Sequence, residues 1–130
     1  MGQDEVLFIL DELTKTITSA KTESGKRNIS TNALKTALGD IQPNMASKGV
    51  QKCSPLLLPG IAQEELQDMK ADCMDILADI LRRFGDMVSA SHEPMQQALV
   101  PCVTHKLASI RKRAVTCIGK LLPAVEEGLG

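Results

Sequence analysis

Three stretches of this chain share one apolar pattern, and that recurrence restricts the fold more than any other feature. Leu34, Leu38, Gly39 and Ile41 stand four, one and two residues apart; Cys73, Leu77, Ala78 and Ile80 repeat the spacing, as do Ala114, Ile118, Gly119 and Leu121. Successive copies lie roughly forty residues apart, the period of arrays whose unit is a helix pair. A compact bundle has no reason to keep one helix in phase with another so far along the chain. The pattern therefore predicts an all-α, right-handed α-solenoid of HEAT or armadillo type, with about three helix pairs over residues 4–42, 44–85 and 91–125. The small residues Gly39, Ala78 and Gly119 should let neighbouring helices come close.

The local signals agree. Apolar residues recur at helical spacing throughout, and no stretch alternates as a strand would. In "DEVLFILDELTKTITSA", Val6, Leu7, Leu10, Leu13 and Ile17 share one face, and Asp4 and Glu5 occupy the first turn, where the helix dipole favours negative charge. Gly25 breaks that helix, and a second spans "RNISTNALKTALGDI" up to Pro43. Pro55 and Pro59 should kink the third helix or divide it. The fourth, "EELQDMKADCMDILADILRRFG", should end at Gly85 as its C-cap. Ser91 reads as the N-cap of a fifth, which contains Pro101, and "ASIRKRAVTCIGKLL" forms the sixth.

A chain of 130 residues is one domain's worth. A hydrophobic fraction of 43% with 24% charged residues describes a globular rather than a disordered chain. Net charge is −1, so no global field draws in nucleic acid or an anionic membrane. The first residues lack a basic segment and carry Asp4, Glu5, Asp11 and Glu12, which does not suit a signal peptide. Val6 stands where an acylated Met-Gly start needs Ser or Thr. No apolar run is long enough to span a bilayer. The expected setting is cytoplasmic, nuclear or both.

Cys53, Cys73, Cys102 and Cys117 form no CxxC pair, so they read as buried free thiols acting as small apolar residues. Cys102 and His105 have a helical spacing that suits a metal, but His92 is the one other histidine and zinc needs more ligands. No nucleophile stands with a base and no glycine loop is built to cradle phosphate. The sequence thus predicts neither catalysis nor a cofactor. Glu64, Glu65 and Asp68 read as acids enriched at a helix start, and Ser30 and Thr31 as helix-start residues. A nucleic-acid-binding repeat would want basic residues on several units and stacking aromatics. The aromatics are two Phe, with Phe8 and Phe84 at core positions in the pattern, and the acidic "EELQDMKAD" interrupts any basic stripe.

The cations Arg111, Lys112 and Arg113 open the third unit's second helix. Arg111 is expected to join an inter-repeat ladder through Asp72 or Asp75, since most charge runs are solvated or structural. Helical phase selects partner contacts at exposed positions of the second helix of each unit. These are Lys26, Arg27, Thr31 and Lys35, then Asp72 and Asp79, then Lys112, Arg113 and Lys120.

The match is closer than a generic helical array. The stretch from "ADCMDILADILRRFG" through His92, Pro101 and Arg111-Lys112-Arg113 to "TCIGKLL" resembles consecutive repeats of the cullin-associated and neddylation-dissociated protein family, without a gap. "NISTNALKTALGDI" is similar to the second helix of the preceding repeat there. The resemblance runs from about Asp4 to Val125. Pro55 and Pro59 depart from the family pattern. Family members are very long solenoids, so the chain reads as part of one, with apolar faces exposed at both ends. The resemblance implies a HEAT-repeat arch that wraps an unneddylated cullin and its RING subunit. It implies a role in exchanging substrate receptors among cullin-RING ubiquitin ligases, with contacts to neighbouring repeats and none to membrane or nucleic acid. Fold alone does not separate this from phosphatase, nuclear-transport or chromosome-organising scaffolds.

Overall fold

The computed structural model describes residues 2–129, with the side chains of 3, 89 and 124–129 outside the description. Among the described residues the elements are α1 (Gln3–Ile17), α2 (Ser24–Asp40), α3 (Pro43–Ala62), α4 (Gln67–Phe84), α5 (His92–Leu99) and α6 (Ala108–Leu129). Short 3₁₀ segments at Gly85–Met87, Ser89–Ser91 and Val100–Thr104 join them, and no strand occurs. The helices form three successive pairs. The first members, α1, α3 and α5, pack side by side as one layer, and α2, α4 and α6 form the other. This is a helical-repeat solenoid. No helix among the described residues is long and apolar enough to cross a membrane.

The repeated apolar pattern is the seam between the layers. Leu34, Leu38, Cys73, Leu77, Ile80, Ala114 and Leu121 are all buried, and Ile118 packs against them. Their offsets place them on one helical face, which is why the register recurs. The connections are set locally. Gln42 is held extended before Pro43, as the residue preceding a proline must be, and this ends α2 two residues before α3 begins. Gln63 organises the α3–α4 turn: its Oε1 accepts from the Glu65 and Leu66 N–H groups, and its Nε2 donates to the Gly60 and Leu66 carbonyls.

Five local expectations are corrected. Helix α3 runs unbroken through Pro55 and Pro59. Both prolines are exposed and lie one turn apart. The carbonyls that lose their N–H partners therefore lie on the side where water replaces the bond, and a helix that wraps a core curves that way in any case. Pro101 has the opposite effect, since α5 stops at Leu99 and the chain continues as a 3₁₀ segment. Of the glycines the pattern singles out, Gly39 is approached by the Arg83 side chain, with Nη1 3.0 Å from a Cβ there, but the tightest approaches are at other glycines. A Cβ on Gly60 would lie 2.6 Å from Cys73 Sγ, and one on Gly49 2.8 Å from Ile41 Cδ1, whereas nothing lies within 4 Å of a Cβ on Gly119. Phe8 is 64% exposed rather than in the core, while Phe84 packs against it. Ser30 and Thr31 sit well inside α2 and are buried, not at a helix start.

Cys73 is itself fully buried, so its sulfur has nowhere to retreat. Gly60→Ala should therefore destabilise the chain by about 1–3 kcal/mol, the usual cost of overpacking. Gly119→Ala, on the exposed side of α6, should stabilise it by about 1 kcal/mol through helix propensity alone. Urea denaturation of the two variants should shift in opposite directions.

Candidate partner-binding face

The polar groups of the α2–α4–α6 layer fall into two sets: those that hold the stack together and those left at the surface. Arg27 belongs wholly to the first. It is 1% exposed, and its guanidinium donates to the carbonyls of Ile17 at 2.9 Å, Ser19 at 2.9 Å and Thr22 at 2.8 Å. Those carbonyls belong to the end of α1 and the turn into α2, which have no helical donors of their own. Nη1 of the same side chain pairs with Asp68 in the first turn of α4, and Ser24 donates to that carboxylate at 2.8 Å. Desolvation pushes the Asp68 carboxyl up. The Ser24 hydroxyl, the charge and hydrogen bond of Arg27 and the Met69 backbone N–H outweigh it and hold the group below the usual carboxylate range.

Each pair repeats the device with different chemistry. Lys70, 4% exposed, donates to the carbonyl of Ile61 at the end of α3 and lies 3.6 Å from Cys102 Sγ in the next pair. Arg111 donates to the carbonyls of His105 at 2.8 Å and Lys106 at 3.1 Å. One cation near the start of each second-layer helix thus ties down the turn that precedes it. The inter-pair rung expected of Arg111 is made by its neighbour instead: Arg113 Nε donates to Asp75 at 3.0 Å. Arg111 is turned away to its own turn, and the helical step from 111 to 113 brings the other guanidinium over α4.

The expected contact residues divide accordingly. Arg27 and Thr31 are buried and are corrected as exposed positions, because α2 uses that side to meet α1 and α4. The Thr31 hydroxyl has no hydrogen-bond partner among the described residues. Lys26 and Lys112 are exposed, and Lys35, Asp72, Asp79, Arg113 and Lys120 are half-buried. Asp79 is engaged by Arg82 at 2.6 Å and Arg83 at 3.1 Å on its own helix. Lys112 and Arg113 come together with Asp75, Ser109 and Thr116 around a groove of about 310 Å³ between α4 and α6. Lys26 and Lys120 lie outside that lining.

Asp72 is the unusual member of this face. It forms no ion pair among the described residues, although Asp68 and Asp75, one turn away on either side, each have an arginine. Burial, then the charges of Asp75 and Asp68, push its carboxyl above the usual range against the opposing charges of Arg27 and Lys35. Sequence reasoning missed the roles of Asp68 and Lys70. Asp68 resembled an ordinary helix-start acid, and the signal for Lys70 was its place in the series Arg27, Lys70, Arg111, spaced at about the forty-residue repeat length.

The four thiols are buried and unpaired, with Cys73 and Cys117 pushed up to about 12 and Cys53 also raised, in each case chiefly by burial. Among the described residues no cluster of His, Cys, Asp or Glu is grouped to hold a metal.

A helical-repeat solenoid whose polar side chains tie repeats together and line a shallow groove is a scaffold by class. No family model matches the chain. It is 30% identical over 119 residues to cullin-associated NEDD8-dissociated protein 1 of Dictyostelium discoideum and 29% identical over 130 residues to protein 2 of Mus musculus. It is 31% identical over 99 residues to protein 1 of Drosophila melanogaster. These alignments cover 87%, 96% and 74% of the chain but only 10%, 10% and 8% of the relatives. The chain belongs to the cullin-associated NEDD8-dissociated protein family and spans about a tenth of the length of the relatives it matches.

Because the native state favours protonated Asp72, its ionisation subtracts from stability at neutral pH. Asp72→Asn should raise the melting temperature at pH 7, and the gain should disappear once acidification below about pH 4 protonates the wild-type carboxylate in both states. Paired thermal scans across that range check the sign. Lys70→Met, which leaves the Ile61 carbonyl without its donor, should instead lose about 1–3 kcal/mol.

Proposed function

We propose that this chain is a non-catalytic contact segment of a cullin regulator, and that the α2–α4–α6 layer meets an unneddylated cullin bound to its RING subunit. The groove between α4 and α6 carries the reading. It is lined by Lys112 and Arg113 beside Asp75, with Lys112 exposed and Arg113 half-buried in its rung. Such a surface suits a protein partner presenting both acids and apolar atoms, with specificity spread over several modest contacts. Lys26, Lys35, Asp72 and Lys120 extend the face along the layer.

Occupying a cullin in this way without modifying it leaves regulation to competition. A scaffold that covers the neddylation region and displaces receptor modules changes which ligases assemble, and no residue here needs a catalytic role. Nucleic acid fits the same surface poorly. Asp68, Asp72, Asp75 and Asp79 follow one another at helical spacing along α4, the middle helix of the layer, where phosphates would be repelled. A setting in cytoplasm or nucleus, where cullin-RING ligases work, goes with this proposal.

Capture of a purified unneddylated cullin–RING complex on the immobilised chain tests the reading. Lys112→Glu with Arg113→Glu should weaken capture by at least about tenfold, a change of 1.4 kcal/mol. Lys48→Glu, exposed on the opposite layer, should leave it unchanged. Equal capture by all three would contradict the assignment of this face.

A further inference from the structure

A pocket of about 430 Å³ opens where the turn between α3 and α4 meets the end of α5 and the segment that follows it. Both walls belong to this chain, one supplied by the second helix pair and the other by the third. Its volume lies in the range of pockets that hold small ligands. Glu64, Gln67 and Lys70 line one side and Cys102, His105 and Lys106 the other. Ala98 and Pro101 add an apolar patch.

Three of these groups keep hydrogen-bonding capacity that the fold does not use. Gln67 Nε2 donates to the Glu64 carbonyl at 2.8 Å, which fixes the orientation of the amide. Its Oε1 is buried and has no donor among the described residues, a costly state for an acceptor. Lys70 has three N–H bonds; one goes to the Ile61 carbonyl and a second reaches Cys102 Sγ at 3.6 Å, which leaves the third. His105 Nδ1 accepts the Leu107 N–H at 3.0 Å, so Nε2 carries the ring hydrogen, and it has no acceptor among the described residues. Lys106 is exposed beside them. Glu64, the one acid in the lining, is exposed too, where water and salt screen it.

We infer that this pocket takes an acidic residue of an extended peptide segment, its carboxylate accepting from Lys70, His105 and Lys106 and its main-chain N–H donating to Gln67 Oε1. The combination of free groups selects the class. An anion with acceptors alone, such as sulfate, would satisfy the three donors but set another oxygen against Gln67 Oε1. An Asp or Glu residue carries a carboxylate and an amide N–H a few bonds apart, and its methylene carbons meet Ala98 and Pro101. Hydrogen bonds from a buried ammonium to a carboxylate are of the strong, charge-assisted kind. The pocket lies apart from the α4–α6 groove, so the inference stands whether or not that groove meets a cullin.

Titration of the isotope-labelled chain with N-acetyl-glutamate N-methylamide tests it, read by NMR from the Gln67 side-chain amide and the His105 ring. Both signals should shift and saturate at millimolar probe. The matching glutamine derivative and sulfate should each bind at least about tenfold more weakly. Lys106→Glu, at an exposed position, should weaken the glutamate probe by a similar factor, and Lys48→Glu, on the opposite layer, should not. Absence of a saturable shift would overturn the inference and leave Gln67 Oε1 to an ordered water. Equal binding of the glutamine derivative would remove the acid from it, and equal binding of sulfate would make the pocket a simple anion site. Shifts confined to Lys112 and Arg113 would overturn it by placing recognition of the acid in the α4–α6 groove.

Discussion

The arrangement depends first on a buried cation. Arg27 sits inside a core of aliphatic side chains, where an unpaired charge is costly, and it is tolerable only because the backbone around it is arranged as a set of acceptors. Three carbonyls from the end of α1 and its turn converge on the guanidinium, and a carboxylate from the next pair completes the shell. One side chain therefore fixes the angle within the first pair and the position of the second. Lys70 and Arg111 extend the principle, each holding the turn of its own pair. The apolar seam supplies most of the driving force, but it is non-directional, and these cations determine how the helices meet.

That division of labour explains the surface. An arginine consumed by the stack cannot recognise a partner, and the burial of Arg27 and Thr31 removes them from any contact list. What remains on the α2–α4–α6 layer is a mixed face in which Asp75 and Arg113 are partly satisfied by each other, while burial and the neighbouring carboxylates push the Asp72 carboxyl above its usual range. The exposed prolines of α3 belong to the opposite layer.

Much of the fold could be read directly. The recurring offsets at Leu34, Cys73 and Ala114 depend only on helical period and burial, so they survive translation into three dimensions. The side-chain roles were harder to read, for definite reasons. A helical wheel cannot distinguish an arginine that snorkels to water from one that turns inward to a neighbouring turn, because the difference lies in carbonyls outside the helix. Thus Arg27 was placed on the surface, and Arg111 was given the rung that Arg113 makes. Of the two effects expected of Pro55 and Pro59, division of the helix does not occur, since the rule concerns the lost hydrogen bond and not where the freed carbonyl points. Glycines were ranked by pattern position, whereas close packing is decided by the opposing atom, as Cys73 Sγ decides it at Gly60.

The most direct test of the buried-cation account compares Arg27→Met with Asp68→Asn in equilibrium unfolding at neutral pH. If Arg27 chiefly satisfies the turn carbonyls, its replacement should cost about 3 kcal/mol or more, the usual result of breaking a buried charged cluster. Asp68→Asn, which spares those three hydrogen bonds and alters a partly exposed carboxylate, should cost well under half as much. Equal losses would contradict the account, for they would mean that the link between pairs, and not the clamp on the turn, is what the buried arginine provides.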